Sequence, residues 1–513
     1  MRLTVDRSDS RPVYLQIREG IRRRIVQGEL LPGTKLPSSR TLAGTLGVHR
    51  STVVSAYRDL VSEGILSCGV GQGTFVVESP KPLTSPHETP GRESLPREPA
   101  TREPFNWAAL LARRPRAIRG ELSRDLRPAS SRPDTICFDR AIPDPALYPT
   151  AVLERLVAQV LRGPHTRVYD YGPPAGYEPL RELLKHRLAA AGVNTQNDEV
   201  LIVNGSQQAL HLVMSLLLDE RSGVVVENPT FAGALDILRL QGVSMVSVPM
   251  DEGGLSIAAL EDTLRVQRPT LLYTVPTFHN PTGLTLEASR RRELVEIACR
   301  EQIPILEDDW LGDLRAPEDA PPLKAHDRAG HVITLSTFSK TVVPGLRVGW
   351  LVAPRAVFEP LCTLKARFDI CTNLFGQVVL CELARTGELD RQIVKVREVY
   401  ARRLAAVLAA VDRSFPREIT TSRPSGGITL WVHLPPQLDL LQVSDEARSN
   451  GVMISPGQLF TPEGGRAAGF RLCFSTTSEE QIERGIAILG RVLEQQLQRS
   501  SGETSRTDGP PLV

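Results

Sequence analysis

A single lysine, Lys340, lies in the stretch TFSKTVVPGLRVGW between Thr337 and Trp350, where the one other charged residue is Arg347. A lysine in apolar surroundings is a candidate Schiff-base residue, because desolvation disfavours the ammonium form and leaves a neutral, nucleophilic amine. A surface lysine at a strand end would give the same local sequence. The chemistry therefore depends on whether other residues complete a site around this amine.

Four further fragments place polar or aromatic side chains at the ends of apolar runs. NGSQQALHLV follows one such run and begins a helical pattern, so its Gly-Ser pair offers backbone N–H groups and a hydroxyl to a phosphate. ENPTF, HNPTG and ILEDDW add an aromatic ring, an amide and a carboxylate; a carboxylate at a strand end is costly to bury unless it meets a cation. Core packing is the alternative for the aromatic ring. The residues concerned are Gly205, Ser206, Gln207, Phe231, Asn280 and either Asp308 or Asp309.

One cofactor needs all of these groups together. Pyridoxal 5′-phosphate requires a phosphate cradle, an aromatic ring to stack on the pyridine, an anion at the ring nitrogen, a donor to the phenolic oxygen and an imine-forming lysine. The residues in those roles, in that order, are Gly205 to Gln207, Phe231, Asp308, Asn280 and Lys340. Their joint occurrence favours the Schiff-base lysine over the surface lysine. Arg347 then fits as the charge partner of the phosphate, and Thr337 adds a hydroxyl.

The elements that must position these residues follow from the apolar pattern after about Ile136. The runs EVLIVNG, GVVVEN, PTLLYTVP, IPILEDD and HVITLS alternate with amphipathic helical stretches. Short apolar strands alternating with helices indicate an α/β domain with a mostly parallel sheet covered on both faces. The sequence predicts this domain over residues 136–495 and a disordered tail over residues 496–513.

The N-terminal residues predict a different kind of site. Three helical stretches are followed by ILSCGVGQGTFVV, a two-stranded hairpin. The third helix begins with short or forked polar side chains that can reach phosphates and base edges in a major groove. These residues are His49, Arg50, Ser51 and Thr52. Three small helices can also form a plain packing module, so the spacing by itself leaves both interpretations open.

Composition separates these regions. Residues 1–78 carry 11 Lys and Arg against 7 Asp and Glu, although the net charge of all 513 residues is only +2. Residues 79–135 include a Pro-, Ser- and Thr-rich stretch that cannot bury a core, which indicates a linker. The seven cysteines are scattered without metal-ligand spacing, so no metal site is predicted. With no signal pattern and no apolar run of membrane-spanning length, a cytoplasmic location is expected.

The order of L-P-S-S-R, L-G-V, R-S-T-V, A-Y, G-I-L and G-T-F-V in the N-terminal region resembles the winged helix-turn-helix of the GntR family of bacterial regulators. The resemblance implies a DNA-binding domain over residues 11–78. It also implies which residues contact double-stranded operator DNA, namely Arg40, His49, Arg50, Ser51, Thr52 and Gly71.

The large domain resembles the fold-type I, aspartate-aminotransferase-like enzymes that use pyridoxal phosphate. A winged module, a proline-rich linker and this domain in one chain resemble the MocR (GabR-like) subfamily of transcriptional regulators. The resemblance implies a homodimer in which Tyr171, in YDYGPPAG, contacts the phosphate bound by the other subunit. It further implies that Arg471, in FRLCFS, holds a ligand carboxylate by bidentate pairing.

Two positions depart from the family pattern. Trp310 stands where the family usually has a tyrosine that donates to the phenolic oxygen, and an indole N–H can donate but cannot ionise usefully. Ala141 replaces the usual glycine of a turn near the substrate carboxylate, which is expected to narrow the site.

The leading functional hypothesis is a regulator whose large domain senses a small amine, an amino acid or the cofactor itself. The alternative is a working aminotransferase with an N-terminal extension, since Lys340, Asp308, Asn280 and Arg471 keep catalysis possible. A relic that binds no cofactor is disfavoured, because the ligand positions other than the tyrosine are retained. The winged module favours regulation, since an aminotransferase has no chemical need for it.

Overall fold

The computed structural model describes residues 13–26, 30, 34–62, 66–69, 73–76, 134–163, 166–462 and 469–507. The chain divides into two compact units, Met1–Pro104 and Phe105–Val513. The division falls within the predicted linker, residues 79–135, which lies outside the described residues except for its last two.

Three helices and a small antiparallel sheet form the described part of the first unit. The helices are α1 (Val13–Val26), α2 (Ser39–Leu46) and α3 (Arg50–Ser62). The strands are β1 (Lys35–Leu36), β2 (Leu66–Gly69) and β3 (Gly73–Val76), in the order β1-β3-β2. The pairing of β2 with β3 agrees with the predicted hairpin.

Local signals and a small core position the third helix. The Ser38 side chain accepts from the Thr41 backbone N–H at 3.1 Å and so caps α2, which ends at Gly47 with φ of 63°. The Tyr57 hydroxyl donates to the Pro37 carbonyl at 2.7 Å and ties α3 to the segment before α2. One face of each helix packs inward, through residues that include Ile17, Ile21, Leu42, Val53, Ala56 and Leu60.

The second unit is built on an eight-stranded sheet with the order β5-β12-β11-β10-β9-β6-β7-β8. Its strands are β5 (Asp198–Val203), β6 (Gly223–Asn228), β7 (Ser244–Asp251), β8 (Gly254–Leu255), β9 (Leu271–Thr274), β10 (Ile305–Asp308), β11 (Val332–Thr337) and β12 (Gly349–Pro354). The pairs from β7 through β6, β9 and β10 to β11 are parallel, whereas β12 is antiparallel to both β11 and β5. The predicted mostly parallel sheet is confirmed.

Helices cover both faces of this sheet. Along β5, Leu201 and Val203 belong to one buried cluster, whereas Val200 and Ile202 belong to another. Since successive strand residues point to opposite faces, both faces are packed. The helices up to residue 414 are α4 (Thr150–Arg162), α5 (Glu178–Ala190), α6 (Ser206–Leu217), α7 (Ala232–Gln241), α8 (Ile257–Val266), α9 (Ala288–Glu301), α10 (Arg355–Asp369), α11 (Leu374–Arg385) and α12 (Glu388–Ser414).

A second, smaller sheet follows in the order β13-β14-β17-β16. Its strands are β13 (Thr420–Thr421), β14 (Thr429–His433), β16 (Ser455–Pro456) and β17 (Gly469–Cys473). Between them, β15 (Val452–Met453) pairs in parallel with β4 (Ile136–Cys137) from the start of the unit. This pairing brings the residues after β4 next to the smaller sheet. Two further helices in the described part of this unit are α13 (Leu440–Ser449) and α14 (Glu479–Thr507).

The last helix is longer than predicted. The sequence predicts a disordered tail from residue 496, but α14 continues to Thr507, so that prediction is wrong for residues 496–507. Lateral contacts explain the extension, because Gln496 donates to the Glu446 carboxylate of α13 at 2.5 Å and Arg499 donates to it at 3.1 Å. Leu497 also packs against the core. Residues 508–513 lie outside the described residues.

In the part of the chain that the structure describes, no helix combines the length and the apolar character that crossing a membrane requires.

Candidate functional site

A cavity of about 520 Å³ lies at the carboxyl ends of β9, β10 and β11. Ligands of open α/β sheets bind at this edge, because loops there leave a crevice between strand ends. Apart from Tyr171, the cofactor and effector residues predicted from the sequence all line this cavity. They are Gly205, Ser206, Gln207, Phe231, Asn280, Asp308, Trp310, Thr337, Lys340, Arg347 and Arg471.

Two neighbouring carboxylates at the end of β10 have different environments. Asp308 lines the cavity; its Oδ2 accepts from the Tyr273 hydroxyl at 3.0 Å, and its buried Oδ1 has no hydrogen-bond partner among the described residues. Asp309 instead accepts from Arg315 Nη1 with both oxygens, at 2.7 and 2.8 Å. Of the two acids left open by the sequence, Asp308 is therefore the one that faces the cavity.

Burial raises the pKa of Asp308 to about 7, and the hydrogen bond from Tyr273 opposes that rise. The charges of Asp309 and Glu227 raise the Asp308 pKa further, whereas Lys340 lowers it. An unpartnered buried oxygen of this kind is costly unless a donor or cation meets it. The geometry and the chemistry of Asp308 thus suit a protonated ring nitrogen.

Lys340 ends a short 3-10 turn, Phe338–Lys340, that directly follows β11. Thr337 caps this turn, since its hydroxyl accepts from the Ser339 N–H at 3.1 Å. The Lys340 amine donates to the Ala141 carbonyl at 2.6 Å and lies 5.7 Å from the centre of the Trp310 ring. The amine is therefore held at the cavity wall between an aromatic face and the loop after β4.

Trp310 lines the cavity with its ring and not with its N–H. The indole nitrogen donates to the Phe278 carbonyl at 3.1 Å, so its single hydrogen is already paired within the protein. In this arrangement the N–H does not take the place of the tyrosine hydroxyl of the family pattern. The physical reason is that a buried indole N–H must find an acceptor, and the nearby backbone supplies one.

The end of the cavity that is suited to a phosphate is formed by the turn at Gly205 and by neighbouring groups that pack closely against it. Gly205 has φ of 82° and precedes α6, whose first N–H groups are free of helical partners. A Cβ added at Gly205 would lie 2.8 Å from Arg347 Nη2, and one added at Gly349 would lie 2.8 Å from the Gly205 backbone. Arg347 donates to the Asn204 carbonyl at 2.9 Å, which fixes its guanidinium beside this turn. Only glycines leave this cradle open.

Phe231 lies at the start of α7. A Cβ at Gly233 would lie 2.6 Å from the Phe231 ring, so the ring needs a glycine there. Gln207 donates to the Gly233 carbonyl at 3.1 Å and joins this turn to α6. Phe231 is only partly buried and lines the cavity, which is the position that a stacking ring needs.

Arg471, on β17 of the smaller sheet, is 3% exposed and presents a buried positive charge to the cavity. Its guanidinium donates to Asn280 Oδ1 at 3.0 Å, to the Asp139 carbonyl at 2.9 Å and to Ser455 Oγ at 3.1 Å. Holding Arg471 through Oδ1 leaves the Asn280 amide nitrogen as its donor. A buried, oriented guanidinium is suited to a carboxylate.

Sequence reasoning missed several lining or supporting residues. Ser339 immediately precedes Lys340, and its place in the same motif was a usable signal. Asp139 comes from the loop after β4, Ser455 from β16 and Phe460 from the 3-10 turn Gly457–Phe460 that follows β16, and no local pattern marks them. Tyr273 looks like an ordinary core residue of a buried strand, and only its contact with Asp308 distinguishes it.

Tyr171 does not line the cavity of its own chain. Its side chain is 81% exposed, on a loop whose Gly172 packs near Leu374 at the start of α11. The contact with a cofactor in the other subunit, which the sequence resemblance implied, remains a prediction.

The first unit carries the other predicted site on its surface. Arg40, His49, Arg50 and Ser51 are exposed, and Thr52 is half-buried. His49 Nδ1 and Ser51 Oγ lie 2.7 Å apart, and Arg50 Nε donates to Ser39 Oγ at 3.4 Å. The first contact is local to the start of α3, and the second links α3 to α2. Gly71, the predicted contact in the hairpin, lies outside the described residues.

Residues 147–489 match the family of class I and II aminotransferases, and residues 13–76 match the gntR family of bacterial regulatory proteins. The uncharacterized HTH-type transcriptional regulator YdfD of Bacillus subtilis is 30% identical over 94% of this chain and 97% of its own length. The probable rhizopine catabolism regulatory protein MocR of Rhizobium meliloti is 28% identical over 94% of each chain.

Among solved structures, the multiple substrate aminotransferase of Thermococcus profundus resembles this chain with a TM-score of 0.74 and 30% identity. The match covers 77% of this chain and 100% of that one. That enzyme thus resembles the second unit, whereas YdfD and MocR match nearly the whole chain. The chain belongs to the MocR (GabR-like) subfamily of GntR-family transcriptional regulators, which join a DNA-binding unit to a pyridoxal-phosphate-type aminotransferase fold.

Proposed function

We propose that this protein is a transcriptional regulator that binds operator DNA through its winged unit and holds pyridoxal 5′-phosphate in the cavity of its second unit. We further propose that a small amine or amino acid bound in that cavity changes DNA binding. The observation that carries the proposal is that one chain combines a winged unit with a cavity whose lining offers groups for the phosphate, the ring, the ring nitrogen and the aldehyde of this cofactor.

The residues fit the cofactor by their chemistry. The turn at Gly205 and Ser206, with Arg347 beside it, would hold the phosphate through backbone N–H groups and a guanidinium. Phe231 would stack on the ring, and the unpartnered Oδ1 of Asp308 would accept from the ring nitrogen. When bound, the cofactor supplies an aldehyde carbon that joins reversibly to one amine at a time. Lys340 is the amine on the cavity wall.

Lys340 and the amine of an effector are alternatives under this proposal. The Ala141 carbonyl, 2.6 Å from the Lys340 nitrogen, is an acceptor for the lysine whenever its amine is free. Arg471 would hold the carboxylate of an amino-acid effector, because its guanidinium is buried and already oriented by Asn280 and Ser455. Binding of an effector would thus exchange one set of contacts for another within the cavity and bias the conformation of the protein.

We also propose that the protein is a homodimer. Tyr171 is 81% exposed and outside its own cavity, as expected of a residue that acts in the partner's site. A dimer would also present two winged units to paired half-sites on DNA. Analytical ultracentrifugation of the cofactor-loaded protein tests this, and a cofactor-loaded monomer would contradict it.

A second function, aminotransferase catalysis, is favoured by one set of observations. Lys340, Asp308, Asn280 and Arg471 line one cavity, and an aminotransferase is among the solved structures that this chain resembles. Against efficient turnover, Trp310 brings no ionisable hydroxyl to the cavity, and its N–H is committed to Phe278. Regulation remains the stronger proposal, because catalysis needs no winged unit.

Purified protein and the intergenic DNA upstream of its gene test the proposal. A gel-shift titration, with and without pyridoxal phosphate and a panel of amines and amino acids, is expected to give specific binding that at least one ligand changes. An absence of specific DNA binding under every condition would contradict regulation. Multiple turnovers of an amino donor and a keto acid, with no ligand effect on DNA, would instead favour the enzyme.

A further inference from the structure

Tyr273 is a buried residue of β9 that the cofactor proposal does not yet use. It pairs in register with Leu306 of β10 and Val226 of β6, and its side chain is 0% exposed. Its hydroxyl donates to Asp308 Oδ2 at 3.0 Å. Among the described residues, this is the single hydrogen bond recorded to the Asp308 side chain.

Because of this hydrogen bond, the two carboxylate oxygens of Asp308 have different environments. Oδ2 accepts from Tyr273, whereas Oδ1 has no partner in the described part of the chain and belongs to a residue that lines the cavity. Burial and the nearby Asp308 charge raise the pKa of Tyr273 well above its usual value. The phenol therefore stays protonated at any physiological pH and always donates.

The other acidic groups near Asp308 do not orient its carboxylate, because each is engaged with other partners. Asp309 is paired with Arg315, at 2.7 Å. Glu227 accepts from Thr274 Oγ1 at 2.6 Å and from the Val275 N–H at 2.9 Å.

Nor does His279 or Lys340 orient the Asp308 carboxylate. The Glu227 carboxylate lies 3.2 Å from His279 Nε2, so this imidazole faces Glu227 rather than Asp308. Lys340 lowers the Asp308 pKa through its charge, and its amine donates to the Ala141 carbonyl; in the described part of the chain, Asp308 Oδ1 accepts no hydrogen bond from it. The orientation of the Asp308 carboxylate therefore depends on Tyr273.

We propose that Tyr273 is a positioning residue for the cofactor site: it fixes one oxygen of Asp308, so that the other is presented to the ring nitrogen, and it stabilises the ionised carboxylate. This inference rests on the proposed binding of pyridoxal phosphate in the cavity. Tyr273 does not line the cavity, so it acts on the cofactor only through Asp308.

The alternative is that Tyr273 merely fills the core. A packing role would make Tyr273→Phe almost silent at the cofactor, since the ring is retained. A positioning role predicts a change in the electronic state of the bound cofactor. Loss of the donor makes the Asp308 carboxylate less stable, so the ring nitrogen is protonated less fully. Weaker electron withdrawal then makes the nitrogen that links Lys340 to the cofactor more basic.

The test is an absorbance titration of the bound cofactor against pH in the full-length protein. In Tyr273→Phe the midpoint is expected about 1 pH unit higher than in the wild type. Tyr400→Phe is the matched control, because Tyr400 is a buried tyrosine of the same core whose hydroxyl neighbours are Asp144 and Arg403. The control is expected to titrate like the wild type.

In an Asp308→Asn background, Tyr273→Phe is expected to produce no further shift, because its effect passes through the carboxylate. If Tyr273→Phe does not fold, 3-fluorotyrosine incorporated at position 273 replaces it, and this stronger donor is expected to move the midpoint to lower pH. A midpoint of Tyr273→Phe, or of the 3-fluorotyrosine protein if Tyr273→Phe does not fold, that equals the midpoint of Tyr400→Phe would overturn the positioning role. A wild type that binds no pyridoxal phosphate would instead overturn the proposed function.

Discussion

Most polar residues of the predicted DNA-binding site lie in solvent, whereas several polar residues of the cavity, among them Asp308 and Arg471, are buried and hydrogen-bonded within the fold. The first set, from Arg40 to Thr52, comes from one short stretch of chain. The second set runs from Asp139 to Arg471 and is assembled by the sheet order and by the pairing of β4 with β15. A contiguous motif can specify an exposed site, but a buried site also needs the tertiary fold to satisfy each polar group.

Substitutions of exposed and of buried charged residues are expected to have different effects on folding. An exposed arginine of the predicted DNA-binding site can be removed with little effect on folding, because water already solvates its charge. A buried carboxylate such as Asp308 affects both ligand binding and the free energy of unfolding. Its charged form destabilises the folded state unless a cation or a hydrogen-bond donor pairs with it. Variants in the two regions are therefore expected to differ in what they change.

The largest expected effect is at Lys340. Lys340→Ala is expected to abolish covalent attachment of pyridoxal phosphate, because the variant removes the amine that lines the cavity. Borohydride reduction followed by peptide mapping of the wild type should find the phosphopyridoxyl group on this lysine. Lys395→Ala, which removes an exposed lysine, is the control and should label normally. A phosphopyridoxyl group on a different lysine would contradict the assignment of Lys340 as the attachment residue.

The next effect concerns the exposed site. Arg50→Ala is expected to weaken specific DNA binding by about 1 to 3 kcal/mol if this side chain pairs with a base, and adding Arg40→Ala should weaken it further. Fluorescence anisotropy with operator DNA measures this, and thermal melting should stay unchanged. Arg58→Ala, an exposed arginine later on the same helix, is the control. Unaltered operator affinity in the double variant would refute the recognition-helix assignment.

A smaller effect is expected for Asp308→Asn in the cofactor-free protein. Since the Asp308 pKa is raised to about 7, the folded state holds its proton more tightly than the unfolded state, and wild-type stability falls as pH rises from about 4 to 7. The neutral amide avoids that loss. The variant should therefore melt a few degrees above the wild type at pH 8, with a difference that shrinks at pH 5. An equal difference at both pH values would contradict the raised pKa.

The smallest effect is expected at Trp310. Because its N–H donates to the Phe278 carbonyl, Trp310→Phe should change the affinity for pyridoxal phosphate by less than about threefold. A spectroscopic titration measures this affinity. If the indole N–H instead bonds the cofactor, the loss should reach about tenfold or more, and the structure's account of this position would be incorrect.

Much of the fold and most of the cavity could be predicted from the sequence, for physical reasons that particular residues make clear. Asp308 ends one buried strand and Lys340 comes soon after another, and parallel strands bring their carboxyl ends to one edge. Tyr273 and Ser455 escaped prediction, because one resembles a core residue and the other depends on pairing across the smaller sheet. The helical extension to Thr507 was also missed, since it depends on contacts with Glu446.

The direction of the Trp310 N–H could not be predicted either. A sequence shows that a donor is present, but the acceptor depends on which backbone carbonyl the fold brings near. Here the acceptor is the carbonyl of Phe278, which has an unusual φ of 47° and packs against Gly426 and Gly427. Polar groups whose partners are backbone atoms of distant segments are the ones that motif reasoning misassigns.

Under the proposed function, chemistry at Lys340 controls DNA binding by the winged unit. The most direct test is operator binding by the cofactor-loaded wild type and by Lys340→Ala, each titrated with an amine or amino acid that changes wild-type binding. The wild-type affinity should change by roughly 5- to 150-fold, as expected for a coupling of about 1 to 3 kcal/mol. Lys340→Ala should bind DNA without ligand as the wild type does and should show no response to the effector. A response that persists in Lys340→Ala would contradict the claim.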